Sequence, residues 1–102
     1  MALTVLLAGL SHPHSLAHLR TLAQTPEVDT ILLWDADPQV LALEEVRGTA
    51  KVAAVNTDLP RLLAEHSINF ALVAERNDRM PALCQQIARA GVHLLVEKPI
   101  GN

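Results

Sequence analysis

Five short apolar runs constrain this chain more than any other feature of its sequence. They are rich in valine, isoleucine and leucine, and they lack the alternation of polar and apolar residues typical of a half-exposed strand. Continuous runs of this length predict strands covered on both faces, as in parallel sheets. Segments with helical spacing of apolar residues separate them, which predicts an α/β fold. The runs are Leu3 to Ala8, Thr30 to Trp34, Lys51 to Val55, Phe70 to Ala74 and His93 to Val96.

Residues that begin and end helices support this alternation. Asp37 and Asp58 stand ahead of prolines that the first helical turn tolerates. Gly48 and Gly91 stand where a left-handed residue would end a helix. Right-handed crossovers then predict an open, doubly wound, Rossmann-like sheet with strand order 3-2-1-4-5, which binds ligands at its carboxyl edge. The predicted apolar helix faces are Leu16, Leu19 and Leu22; Val40, Leu43 and Val46; Leu59, Leu62 and Leu63; and Met80, Leu83, Cys84, Ile87 and Ala88.

The composition favours one small domain without nucleic-acid or membrane partners. At 102 residues, of which 50% are apolar, the chain can bury a single core over residues 1–102. The net charge is −3 and no basic stripe is present, so nucleic acid is not an expected partner. The apolar start from Met1 to Leu10 lacks a preceding basic residue and is too short to span a bilayer, which favours a buried strand. Cys84, the sole cysteine, excludes an internal disulfide and fits a cytoplasmic protein.

The turn after the first run stands where dinucleotide-binding folds carry the pattern G-x-G-x-x-G. Gly9 supplies the first glycine, while Ser11 and His14 replace the second and third. The Ser11 hydroxyl and the rings of His12 or His14 could donate hydrogen bonds to an anion near a helix N-terminus. We therefore expect residues 9–14 to contact phosphate; alternatively, they are ordinary turn and cap residues.

Histidines in the same segment also raise the question of a metal. His12 and His14 are close in sequence, and His18 lies one helical turn beyond His14. The segment lacks the glutamate of H-E-x-x-H, and no distant cysteine or aspartate has a recognisable ligand spacing. The sequence therefore predicts no metal site.

Asp35 ends the second run, about 20 residues beyond the turn, at the offset where an acidic side chain accepts hydrogen bonds from the adenine ribose. A carboxylate there repels a 2′-phosphate, and Ala36 offers no cation to hold one. The sequence therefore favours NAD over NADP as the cofactor. Alternatively, Asp35 or Asp37 caps the next helix, and Asp37 fits that role better.

Polar residues also follow the fourth and fifth runs. Asn77 lies in the segment Glu75-Arg76-Asn77, where Glu75 and Arg76 could instead form a solvated rim pair. Glu97-Lys98-Pro99 follows the fifth run directly. A lysine at the end of a buried strand is held in fixed geometry, and burial shifts its pKa readily enough for proton transfer. Alternatively, Lys98 is an ordinary surface residue.

Gly9, Asp35, Asn77 and Glu97-Lys98-Pro99 together resemble the nucleotide-binding half of the Gfo/Idh/MocA oxidoreductase family. The resemblance implies that Glu97 faces the nicotinamide ribose and that Lys98 is catalytic and assists proton transfer. It also places Asn77 near the nicotinamide. The family usually reads Thr-Pro-Asn at this edge, with a histidine near the position of Met80, so the polarity of the pocket differs here.

Family enzymes complete their active site with a second, α+β domain that supplies acid–base residues and a sheet for oligomerisation. By this resemblance the chain is the NAD-binding domain, ending after the fifth strand, of a homo-oligomeric NAD-dependent dehydrogenase. That enzyme would interconvert a secondary alcohol and a ketone on a small sugar, polyol or cyclitol-like substrate, and the chain alone would be inactive. The alternative is a non-catalytic nucleotide-binding or regulatory module, because a fold does not fix a function.

Overall fold

Strands and helices alternate along the chain, as the apolar runs predict. The computed structural model describes residues 2–10, 15–74 and 80–96. The strands are β1 (Leu3–Ala8), β2 (Val28–Trp34), β3 (Val52–Asn56), β4 (Phe70–Val73) and β5 (His93–Val96). The helices are α1 (Ser15–Gln24), α2 (Pro38–Leu41), α3 (Glu44–Arg47), α4 (Leu59–Glu65) and α5 (Met80–Arg89).

All five strands pair in parallel in one sheet, in the order β3-β2-β1-β4-β5. The predicted doubly wound topology is therefore confirmed. The order reverses beside β1, which pairs with β2 on one side and β4 on the other. In open α/β sheets the ligand crevice lies at this reversal, outside the carboxyl ends of the strands.

The sheet has an apolar core on each face. Leu6 and Ala8 of β1 join a cluster that includes residues of α4 and α5, while Val5 and Leu7 join a cluster that includes residues of α1, α2 and α3. All four side chains are completely buried. The central strands β1 and β2 are thus covered on both faces, because successive side chains of a strand point to opposite faces.

The outer strands depart from the expectation that every run is covered on both faces. Val55 of β3 is 43% exposed and Leu95 of β5 is 56% exposed. In β3 half-buried and exposed residues alternate along the strand. Both strands lie at the edges of the sheet, where fewer neighbouring residues are available to cover them. The expectation is therefore wrong for β3, and β5 is left uncovered at Leu95.

The segment between β2 and β3 also differs from the single helix that Val40, Leu43 and Val46 predict. It forms two one-turn helices, α2 and α3, joined through Leu43. Leu43 has an extended ψ of 144° and caps the start of α3, so it cannot continue α2. Its side chain is 43% exposed, whereas Val46 is buried.

The predicted helix boundaries are confirmed at three of four positions. The Asp37 carboxylate caps α2 by accepting the Gln39 N–H, and the Asp58 carboxylate caps α4 by accepting the Arg61 N–H. Gly91 follows α5 with a φ of 80°, in the left-handed region. Gly48 caps α3 with a φ of −84°, so the left-handed prediction is wrong there. The last turn of α3 closes in a right-handed conformation that any residue can adopt.

The two glycines should therefore respond differently to alanine. A Cβ at Gly91 would meet no atom within 4 Å, so Gly91→Ala is expected to cost about 1–2 kcal/mol through the left-handed backbone alone. At Gly48 the backbone suits alanine, and a Cβ would lie 3.1 Å from the Glu44 carbonyl oxygen. We expect Gly48→Ala to change the unfolding free energy by less than about 1 kcal/mol. Urea denaturation of both variants measures these changes. Equal losses of unfolding free energy in the two variants would contradict the prediction that only Gly91 needs a left-handed backbone.

Candidate functional site

The carboxyl edge of the sheet collects the candidate residues that the structure describes. Gly9 and Leu10 follow β1, Asp35 follows β2 and Thr57 follows β3. Because β1 and β2 are hydrogen-bonded neighbours, the turn after β1 and the residue after β2 lie side by side. The sequence-predicted Gly9 and Asp35 are therefore brought together.

Gly9 makes the turn that a dinucleotide-binding fold requires at this point. Its φ is 100°, a conformation that residues with a Cβ rarely adopt. Its N–H donates to the Trp34 carbonyl oxygen at 2.8 Å and so extends the β1–β2 ladder by one bond. The chain then leaves the sheet at the Gly9–Leu10 peptide.

Asp35 is buried directly beside this turn, with 2% of its surface exposed. Its Oδ2 accepts the Leu10 N–H at 2.7 Å, and its Oδ1 accepts the Asp37 N–H at 2.9 Å. Asp37, and not Asp35, supplies the capping carboxylate of α2, as the sequence favours. A carboxylate has about four lone-pair sites, so each oxygen can accept a further hydrogen bond. The ribose-binding role of Asp35 stays a prediction.

Ser15 is a residue of this site to which sequence reasoning assigns no role. It is the first residue of α1, it is completely buried, and its Oγ donates to the Gly9 carbonyl oxygen at 3.1 Å. The available signal is its position, six residues after the glycine and at the start of the predicted helix. A serine there is also typical of an ordinary helix start, so the sequence alone does not single it out.

Trp34 fixes the end of β2 next to Asp35. Its indole Nε1 donates to the Thr57 carbonyl oxygen at 2.9 Å, and 8% of the residue is exposed. This bond joins the end of β2 to the segment that follows β3.

An open groove of about 460 Å³ lies at the ends of α2 and β3. Its lining residues are Pro38, Leu41, Ala42, Arg47, Val55, Asn56 and Thr57.

Six other sequence-predicted site residues lie outside the described residues: Ser11, His12, His14, Asn77, Glu97 and Lys98. Their roles in binding and catalysis stay predictions.

Within residues 2–10, 15–74 and 80–96, no group of three or more histidine, cysteine, aspartate or glutamate side chains could hold a metal ion. None of the helices in those ranges could span a lipid bilayer.

Residues 3–102 match the model of a protein family described as an oxidoreductase family with an NAD-binding Rossmann fold. The match covers almost the whole chain and includes the turn after β1 and the residue after β2. No curated protein sequence matches the chain.

Solved structures of oxidoreductases share the fold. An oxidoreductase from Agrobacterium radiobacter in complex with NAD+, L-tartaric acid and magnesium has a TM-score of 0.81 at 21% identity, covering 98% of this chain and 28% of that chain. GenD2 from gentamicin A biosynthesis, in complex with NAD, has a TM-score of 0.80 at 29% identity, covering 95% and 27%. The apo scyllo-inositol dehydrogenase from Lactobacillus casei has 0.81 at 18% identity, covering 98% and 29%. The chain therefore spans less than a third of the length of these proteins.

Proposed function

Since the chain belongs to the Gfo/Idh/MocA family of oxidoreductases, we propose that it holds NAD for an enzyme that interconverts a secondary alcohol and a ketone. One observation carries the proposal. A buried carboxylate, Asp35, lies at the end of β2 and is hydrogen-bonded to the turn that Gly9 opens after β1. This is the arrangement in which a Rossmann fold binds an adenine ribose and a pyrophosphate.

The chemistry of the described residues fits a dinucleotide. Asp35 retains acceptor capacity for ribose hydroxyls, and the positive φ of Gly9 permits the tight turn that lets backbone approach a phosphate. Because only 2% of Asp35 is exposed, a ribose hydroxyl can reach it only if the atoms that cover it shift. Ser11, His12 and His14 are proposed to contact phosphate.

Nicotinamide supplies the hydride-transfer chemistry when it is bound, and the protein supplies orientation and a route for the proton. We assign the proton route to Lys98, with Glu97 and Asn77 on the nicotinamide side. A small polyol, sugar or cyclitol is the proposed substrate; the likeness to an enzyme described as a scyllo-inositol dehydrogenase supports the cyclitol class. A cytoplasmic homo-oligomer is proposed as the working form.

A non-catalytic nucleotide-binding module is the second candidate. Both oxygens of Asp35 already accept backbone N–H groups, which gives this residue a structural role that needs no cofactor. Two of the three glycines of the turn are also replaced. If a protein that carries this chain together with a substrate domain binds NADH but oxidises no polyol, sugar or cyclitol with NAD, this candidate is favoured over the enzyme.

Cofactor preference tests the assignment of the ribose site. Ala36 is exposed and follows Asp35 directly. Ala36→Arg is expected to raise the affinity for NADPH relative to NADH by about tenfold, because a guanidinium there could hydrogen-bond the 2′-phosphate. Quenching of Trp34 fluorescence, from the only tryptophan in the chain, can report both titrations.

A matched control places the same charge at the amino ends of the strands, away from the proposed site. Ala50 is exposed and precedes β3, so Ala50→Arg should leave the ratio of the two affinities unchanged. If Ala36→Arg and Ala50→Arg shift the ratio equally, the 2′ position of the ribose does not lie beside Asp35 and Ala36.

A further inference from the structure

The peptide group between Gly9 and Leu10 is held from both of its polar ends. Its carbonyl oxygen, on Gly9, accepts the Ser15 hydroxyl at 3.1 Å. Its N–H, on Leu10, donates to Asp35 Oδ2 at 2.7 Å. The two side chains come from different elements, the first turn of α1 and the end of β2.

Ser15 and Asp35 are the buried polar side chains of the described ranges, with 0% and 2% of their surfaces exposed. Burying a polar group is unfavourable unless it is hydrogen-bonded. Both buried side chains form hydrogen bonds to the same peptide group. A rotation of that peptide by half a turn would point its carbonyl oxygen at the Asp35 carboxylate and leave the Ser15 hydroxyl without its acceptor. Both contacts therefore select one orientation.

We propose that Ser15 and Asp35 are positioning residues that preorganise the nucleotide-binding turn by fixing the Gly9–Leu10 peptide. This inference rests on the proposed function. The Leu10 N–H is committed to Asp35, so it is not a free donor for a phosphate. The peptide sets the direction in which the chain leaves β1. A peptide fixed before the ligand arrives loses less entropy on binding.

Ser15 then affects nucleotide affinity without touching the nucleotide, since its oxygen faces Gly9 and the residue is fully buried. Ser15→Ala is expected to weaken the binding of ADP-ribose by up to about tenfold, because losing one hydrogen bond lowers the preference for this peptide orientation by about that factor. Hydrogen exchange of the Leu10 amide should accelerate by about the same factor. Exchange of the Leu6 amide, in the centre of β1, serves as the internal reference for unfolding of the whole domain.

Two variants complete the experiment. Ser67→Ala makes the same chemical change at an exposed serine that precedes β4, on the amino edge of the sheet, and should leave ADP-ribose affinity unchanged. Ser15→Thr keeps the hydroxyl but adds a methyl group at a fully buried position, so its affinity should lie between those of Ser15→Ala and the parent.

The outcomes separate this inference from the proposed function. Weaker ADP-ribose binding in Ser15→Ala, with a larger acceleration of hydrogen exchange at Leu10 than at Leu6, supports the inference. If the parent chain binds ADP-ribose and Ser15→Ala binds it equally well, or if exchange accelerates equally at Leu10 and Leu6, the inference is overturned while the proposed function stands. If the parent chain does not bind ADP-ribose, both are overturned.

Discussion

Replacing Asp35 by alanine is expected to lower the free energy of unfolding by about 1–3 kcal/mol, because it leaves the buried Leu10 N–H without an acceptor. The second donor, the Asp37 N–H, belongs to an exposed residue that water can reach, so it should contribute less. The same substitution should weaken NADH binding at least about tenfold by removing a ribose acceptor. Urea denaturation and NADH titration below the unfolding transition measure the two effects separately.

Two control variants are compared with Asp35→Ala. Asp29→Ala removes a carboxylate from an exposed position on β2 and should leave stability within about 0.5 kcal/mol of the parent. Asp35→Asn keeps the shape and one acceptor oxygen, so it should retain more stability than Asp35→Ala. If Asp35→Ala proves as stable as Asp29→Ala, the bond from Leu10 to Asp35 does not contribute to the fold as described.

Replacing Lys98 by alanine is expected to reduce kcat about 100-fold or more in a protein that carries this chain together with a substrate domain. A proton relay is lost while the adenosine side of the cofactor site is untouched, so the Kd for NAD should stay within about threefold of the parent. Stopped-time assays of NADH formation with a panel of cyclitols and polyols measure the loss. Fluorescence titration gives the Kd.

Arginine at position 98 distinguishes a role of Lys98 in proton transfer from a role that needs only its positive charge. Lys98→Arg keeps the positive charge but replaces a group that can give up its proton with one that stays protonated in proteins. Both variants should therefore be impaired if Lys98 moves a proton. Full activity in Lys98→Ala would remove Lys98 from the catalytic machinery, and full activity in Lys98→Arg would limit its role to charge.

The sequence predicts the interior of the sheet better than its edges. The runs that became β1 and β2 lie inside the sheet, and their side chains enter the apolar clusters on both of its faces, where the helices cover them. The run ending at Val55 has similar composition, yet the strand it forms lies at an edge and exposes that residue. Apolar composition alone does not distinguish a central strand from an edge strand, since that difference depends on strand order.

Local signals were most reliable where a side chain bonds its own backbone neighbourhood. The caps at Asp37 and Asp58 require only residues two or three positions away, so the sequence contains all the information. The break between α2 and α3 depends on the backbone conformation of Leu43, which no residue type in that segment dictates. Its apolar spacing predicts one helix, but the segment connects two strands through two separate turns.

In the candidate site too, the sequence predicts some features and not others. Asp35 is predicted from its spacing to the turn, because parallel strands bring the end of β2 beside the end of β1. Its bond to the Leu10 N–H spans 25 residues and depends on tertiary packing. The contact between Ser15 and the Gly9 carbonyl likewise requires the helix to dock on the sheet. Long-range hydrogen bonds of this kind have no periodic pattern in the sequence.

Calorimetric titration of NADH into the chain, with NADPH and AMP titrated in parallel, tests whether the carboxyl edge of the sheet holds a dinucleotide. We expect saturable binding of one NADH per chain, weaker binding of NADPH, and competition by AMP for the same site. Heat that does not saturate for any of the three nucleotides would show that this edge does not hold a dinucleotide.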